Sequence, residues 1–129
     1  MGMAISLLLV AAGGALGGMA RLAVGNAVSR RLGSAFPFGT LVVNLSGALV
    51  IGLLAGLMGL PVAGEERLAW SLAAIGLLGG YTTVSSFSLQ TLTLWQQGRA
   101  TAALANVAAT LGMGLVAVGL GAWLAGGLA

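Results

Sequence analysis

The sequence predicts an all-α membrane protein of four helices, on three observations. Of its 129 residues, 59% are hydrophobic and 5% are charged, where a soluble domain carries about 25% charged residues. The charges, Arg21, Arg30, Arg31, Glu65, Glu66, Arg67 and Arg99, leave residues 1–20, 32–64, 68–98 and 100–129 neutral. Crossing a hydrocarbon core of about 30 Å takes about 20 apolar residues, so each neutral stretch holds one span. There are also 23 glycines, several at the small-xxx-small spacing that lets membrane helices approach closely. The expectation is a single four-helix transmembrane domain over residues 1–129. Its helices cover about 3–27, 38–60, 67–95 and 99–126, joined by short connections at Val28 to Pro37, Pro61 to Glu66 and Gln96-Gln97-Gly98.

A cleaved signal peptide fits the first span poorly. No basic residue precedes it, and the apolar run outlasts the usual h-region. Gly13/Gly17 and Gly14/Gly18 lie at packing spacing. Arg21, late in this span, either snorkels to the interface or forms an electropositive element that draws anions inward. The second span opens at Phe36-Pro37-Phe38, an interfacial entry compatible with a helix start. Asn44 is its most polar residue, with Thr40 one turn earlier on the same face. A buried amide needs partners, so Asn44 is either interhelical glue or a donor lining a polar path. Gly52/Gly56 gives this span a packing face of its own.

In the third span Trp70 and Trp95 are 25 positions apart, or roughly 37 Å along a helix. That places them near opposite interfaces, where Trp is enriched. Gly79-Gly80 is followed by Tyr81-Thr82-Thr83-Val84-Ser85-Ser86-Phe87-Ser88, the poorest helix-forming segment of any span. Two readings stand: a break that frees backbone groups to bind ions, or an intact helix whose hydroxyls bond back to the preceding turn. Phe87, beside this segment, is a candidate for presenting the weakly positive ring edge to an anion, or it is plain packing. In the fourth span Asn106, Thr110 and Gly114 form one stripe, either a polar track or a packing seam.

With no His and no Cys, the chain has no nucleophile–imidazole pair, zinc cluster or disulfide. Its two acids are adjacent and cannot flank a substrate as acid and base. An enzyme is not expected. Five scattered arginines make no nucleic-acid footprint, and no nucleotide-binding loop is present. No carboxylate lies within a span, which argues against a proton-coupled pump or an acidic cation site. Neutral donors suit a small anion, whose hydration shell they replace.

These motifs are similar to those of the Fluc/CrcB fluoride channels over nearly the whole chain. The likeness rests on Gly13 through Arg21, on Gly39-Thr40-Leu41-Val42-Val43-Asn44 with Gly47, and on Gly76 through Phe87. The resemblance implies a passive fluoride-selective channel, exporting cytoplasmic fluoride through a cell (inner) membrane in which the chain is a multi-pass protein. It implies an antiparallel, dual-topology homodimer with two pores along its interface and the third helix broken mid-membrane. A structural Na+ (sodium) ion at the dimer centre would be held by the backbone carbonyls of Gly79 and Thr82. Asn44 matches the pore asparagine, and Phe87 matches the second of two pore phenylalanines. Thr83, Ser85 and Ser86 fall in the hydroxyl-rich part of the motif, with Thr40 and Arg21 in the other matching segments. Asn106, Thr110 and Gly114 overlie a polar track on the fourth helix. Val84 stands where the family has its first pore phenylalanine, so one ring-edge site is lost.

The connections carrying Arg30, Arg31 and Arg99 share one face, and Arg67 lies on the other. The positive-inside rule puts the first group in the cytoplasm, a bias that dual insertion does not call for. Two other classes compete. A small multidrug-resistance-type exchanger requires a carboxylate in span one, and none is there. A non-transporting membrane subunit accounts for the glycines but not for the clustered donors.

Overall fold

The computed structural model describes residues 2–59 and 67–128, with side chains through Gly126. Helix α1 is Gly2–Leu32 and α2 is Phe38–Met58. The third span, Leu68–Gln96, divides into α3, residues 68–81, and α4, Val84–Gln96. Helix α5 is Ala100–Leu128. All four spans are long and apolar enough to cross a bilayer, and the chain is an all-helical, multi-pass membrane protein.

Glycines at positive φ close two of the helices. Gly33, at φ 83°, ends α1 and donates to Ser29 O at 2.8 Å. Gly59, at φ 72°, ends α2 and donates to Ala55 O at 2.9 Å. Both follow the rule that a helix terminates most easily on a residue without Cβ strain. α1 runs five residues beyond the expected position 27. Ser29, Arg30 and Arg31 add nothing to hydropathy, yet polar residues leaving the hydrocarbon still keep helical hydrogen bonds. α2 stops at Met58, before the expected residue 60; Leu60 and the Pro61–Glu66 connection lie outside the described residues. The other ends shift by one or two positions, as helix ends do. Beyond the gap, Arg67 Nη1 donates to Met58 O at 2.6 Å, and its guanidinium lies 5.4 Å from the Trp70 ring. A cation is thereby set on the negative end of α2.

Two glycine seams assemble the spans. In the first, α1 meets α3 backbone to backbone. A Cβ at Gly13 would sit 2.7 Å from Leu72 O, and one at Gly80 would sit 2.5 Å from Gly14 O. Gly17 faces the Leu77 carbonyl still more closely. In the second, α2 meets α5, where Gly56 lies against Ala122 and Ala125, and Gly52 and Gly121 lie against Val118 O and Leu49 O respectively. Close approach through glycine replaces the hydrophobic driving force that lipid removes. The buried apolar side chains are mostly small, Val43, Ala74, Ala103 and Ala125 beside Leu78 and Leu94, while Leu104, Leu115 and Trp123 point outward.

The third span is irregular. Ser71–Leu78 is π-wound, and the Gly79 N–H reaches back five residues to Ala74 O. Helical turns continue through Tyr81. Thr82 (φ −80°, ψ 158°) and Thr83 (φ −149°, ψ 123°) are then extended before α4 begins.

Candidate functional site

The extended pair Thr82-Thr83 is held from outside its own span. The Asn44 amide on α2 grips the Thr83 main chain in both directions: Nδ2 donates to Thr83 O at 2.9 Å, and Oδ1 accepts from Thr83 N–H at 2.8 Å. Gly47, one turn after Asn44, admits the break. A Cβ there would collide with Thr82 Cγ2 and lie 3.3 Å from the Tyr81 ring. Ser46 fastens the preceding turn, its hydroxyl 2.9 Å from Tyr81 Oη. Thr83 then starts α4 as its N-cap: Oγ1 accepts from Ser86 N–H at 3.1 Å and lies 3.2 Å from Ser85 Oγ. A cap of this kind contributes about 1 kcal/mol.

Two backbone carbonyls lose their usual helical donors through this arrangement. Thr83 N–H, which would reach Gly79 O in a continuous helix, goes to Asn44. Ser86 N–H, which would reach Thr82 O, goes to the Thr83 hydroxyl. Gly79 and Thr82 are the two positions to which the resemblance assigns sodium, and hard neutral oxygens freed from a helix are fitting donors for such a cation. Among the described residues no cluster of acids could hold a metal instead. The intact-helix alternative does not hold, although one back-bond of the kind it expected is present: Thr82 Oγ1 donates to Leu78 O at 3.0 Å as the backbone leaves the helix.

Thr83 separates two clefts and lines both. The first, of about 240 Å³, is polar and gathers Arg21, Asn26, Ser29, Thr40, Ser86 and Gln90. The second, of about 400 Å³, is more apolar and contains Asn44, Gly79, Thr82, Val84, Thr110 and Gly114. Four predicted site residues, Arg21, Thr40, Thr83 and Ser86, thus meet in the first cleft. Asn44, Thr82, Gly79 and Thr110 meet with Thr83 in the second. Ser85 is exposed beside the Thr83 hydroxyl. Phe87 is half-buried and lines neither cleft; its carbonyl accepts from Thr91 Oγ1 at 2.7 Å. Asn106 is only 2% exposed and donates to Thr91 Oγ1 at 2.9 Å, so it lies in the α4–α5 contact and apart from Thr110 and Gly114.

Sequence reading missed Gln90. It lines the first cleft one turn after Ser86, and its Oε1 is buried without a hydrogen-bond partner among the described residues. The available signal was the i, i+4 pairing of Ser86 with an amide inside a span.

Known proteins share this pattern of sequence. The family described as "CrcB-like protein, Camphor Resistance (CrcB)" matches residues 8–122. The chain belongs to the CrcB family. A family relative in Bradyrhizobium diazoefficiens, Fluoride-specific ion channel FluC 2, is 46% identical over 123 residues, covering 95% of this chain and 90% of its own. The Fluoride-specific ion channel FluC of Chelativorans sp. is 47% identical over 122 residues, with 92% and 94% covered. That of Rhodospirillum rubrum is 45% identical over 121 residues, with 91% and 92% covered. Within this CrcB chain, the matched region takes in the Asn44 clamp, the break and the whole lining of both clefts.

Proposed function

We propose that this chain is a fluoride-selective channel through which the membrane potential drives cytoplasmic fluoride out of the cell. One observation carries the reading: in a charge-poor membrane protein, Asn44 holds a span open at Thr82-Thr83, with a polar cleft on one side and a more apolar cleft on the other. The names of the relatives supply the ion.

Fluoride gives up its water only where fixed donors replace it. Arg21, half-buried, raises the local anion concentration in the first cleft, and the hydroxyls of Thr40 and Ser86 offer neutral donors. One N–H of Asn44 is spent on Thr83 O; the second remains for the ion. Thr83, lining both clefts, and Ser85, beside its hydroxyl, extend the donor set across the break. Thr110 continues the donors on α5, while Asn106 braces Thr91 and fixes α4 against α5. The ring edge of Phe87 serves the dry point of the path. Conduction is not an enzymatic step, and no nucleotide or nucleic acid takes part.

The assembly belongs to the same proposal. Two copies pack antiparallel, with dual topology, over the face that exposes Val84 and the second cleft, forming two pores in the cell inner membrane. A sodium ion, when bound on the Gly79 and Thr82 carbonyls, ties the two broken spans together at the dimer centre.

Purified protein in liposomes tests the reading. Fluoride should leave much faster than chloride; equal release of both ions, or of neither, overturns it. A sodium-dependent or anomalous signal beside Gly79 and Thr82 checks the cation, and crosslinking between opposed copies checks the orientation. A small multidrug-resistance-type exchanger is disfavoured, since α1 carries no carboxylate. A non-transporting subunit leaves the freed carbonyls and the two clefts without a role.

A further inference from the structure

The polar cleft does not end at Arg21. Asn26 and Ser29, which line it, also line an adjoining cavity of about 360 Å³ with Arg30 and Ser34. Residues 22, 26 and 30 follow one another at four-residue spacing, as do 21, 25 and 29, so one face of α1 forms a continuous wall. Arg21, half-buried, stands at the inner end and Arg30, exposed, at the mouth. They are nine residues apart, about 13 Å along the helix. The sequence has two acids, Glu65 and Glu66. They fall between Gly59 and Arg67, past the far end of α2, so no carboxylate of the α1–α2 connection neutralises the mouth.

We infer that Arg30 is the capture residue of the conduction pathway: it concentrates the permeant anion at the cleft mouth and passes it along the α1 wall to Arg21. The inference rests on the channel reading. Arg30 is not a ligand of the ion in the pore. It acts on the rate of entry, as a fixed charge at the opening of a cleft does. Arg31, the next residue, is exposed in the same helical turn but lines neither the cleft nor its mouth, and serves as the internal comparison.

A rival role for Arg30 is structural. It lies in the last turn of α1, where a cation favourably opposes the helix dipole. The two roles respond differently to salt. A steering charge is felt across the cleft at about 0.01 M ionic strength, where the screening length is about 30 Å, and is lost at about 1 M, where it is about 3 Å.

The test is initial fluoride efflux from proteoliposomes of neutral lipid, with ionic strength set by an impermeant salt. Arg30→Gln should slow efflux about threefold at low ionic strength, since one charge supplies only part of the roughly tenfold or greater effect of a steering cleft, and should match wild type at high ionic strength. Arg30→Lys should retain wild-type flux, and Arg31→Gln should have the smaller effect. Equal flux of Arg30→Gln and wild type at low salt overturns the inference. So does a loss that is the same at every ionic strength, which would assign Arg30 to helix stability. Equal losses for Arg30→Gln and Arg31→Gln would reduce both to general surface charge. A loss seen only when anionic lipid is added would assign Arg30 to headgroups. Failure of the channel reading is separate: there the wild type itself shows no fluoride selectivity.

Discussion

The two halves of the third span are held by opposite means. α3 lies against α1 at close backbone contacts: Gly13, Gly17 and Gly80 leave no room for a Cβ, and the side-chain bond of Tyr81 to Ser46 comes only at the end of α3. α4 is held by directed polar bonds, from Asn44 to the Thr83 main chain, from Thr83 to the Ser86 N–H and from Asn106 to Thr91. Glycine contact is short-ranged and unforgiving of added volume. Polar bonds inside a membrane average well under 2 kcal/mol each, and their groups exchange partners. One half of the span is therefore an anchor. The other is a mount whose groups serve both structure and an ion.

Substituting a glycine of the anchor should have the largest effect. Gly80→Val puts a branched side chain where a Cβ already meets Gly14 O at 2.5 Å. It should lower stability by about 3 kcal/mol, at the upper end for overpacking, seen as lost monodisperse protein and a lower melting temperature. Retained folding would mean that the seam adjusts, and the contrast with α4 would fall. Next is Asn44→Ala, which releases both Thr83 bonds. Fluoride flux should drop at least about tenfold, a difference of about 1.4 kcal/mol, while the assembly survives in crosslinking. Normal flux would make the amide structural only.

Smaller effects sort the polar mount itself. Asn106→Ala should lower stability by about 1 kcal/mol, the scale of one interhelical bond in a bilayer, and reduce flux less than Asn44→Ala. A flux loss equal to that of Asn44 would put Asn106 in the ion path. Thr83→Val removes the cap on α4 and should lower stability by about 1 kcal/mol, with Thr83→Ser restoring both stability and flux.

The spans were legible because lipid demands long neutral runs, and the arginines mark where those runs stop. The glycine pairs were legible as packing for the same reason. α1 beyond Ala27 was not, since hydropathy is blind to a helix that has left the hydrocarbon. Within residues 79–88 the sequence allowed both a break and a helix, and local propensity could not place the extended residues. The choice of Thr82-Thr83 is made by Asn44, 39 positions away, and Gly80 is already committed to α1. The separation of Asn106 from Thr110 depends on Thr91 across a neighbouring helix, which a one-helix stripe cannot report. The π-winding of Ser71–Leu78 carries no composition signal, and Gln90 stands out only once Ser86 is placed on the wall of the first cleft.

The α2–α5 seam bears on the order in which the chain can be built. Gly52 and Gly56 wait for Val118, Ala122 and Ala125, more than 60 positions downstream. As the chain leaves the ribosome, α1 and α3 can pair once the third span is inserted, but the glycine face of α2 has no mate until the last span is complete. A nascent chain released before α5 would carry an open groove through the bilayer, the kind of surface on which membrane quality control acts. Completion of the fold thus waits on α5, and damage to α5 strikes a helix laid down much earlier.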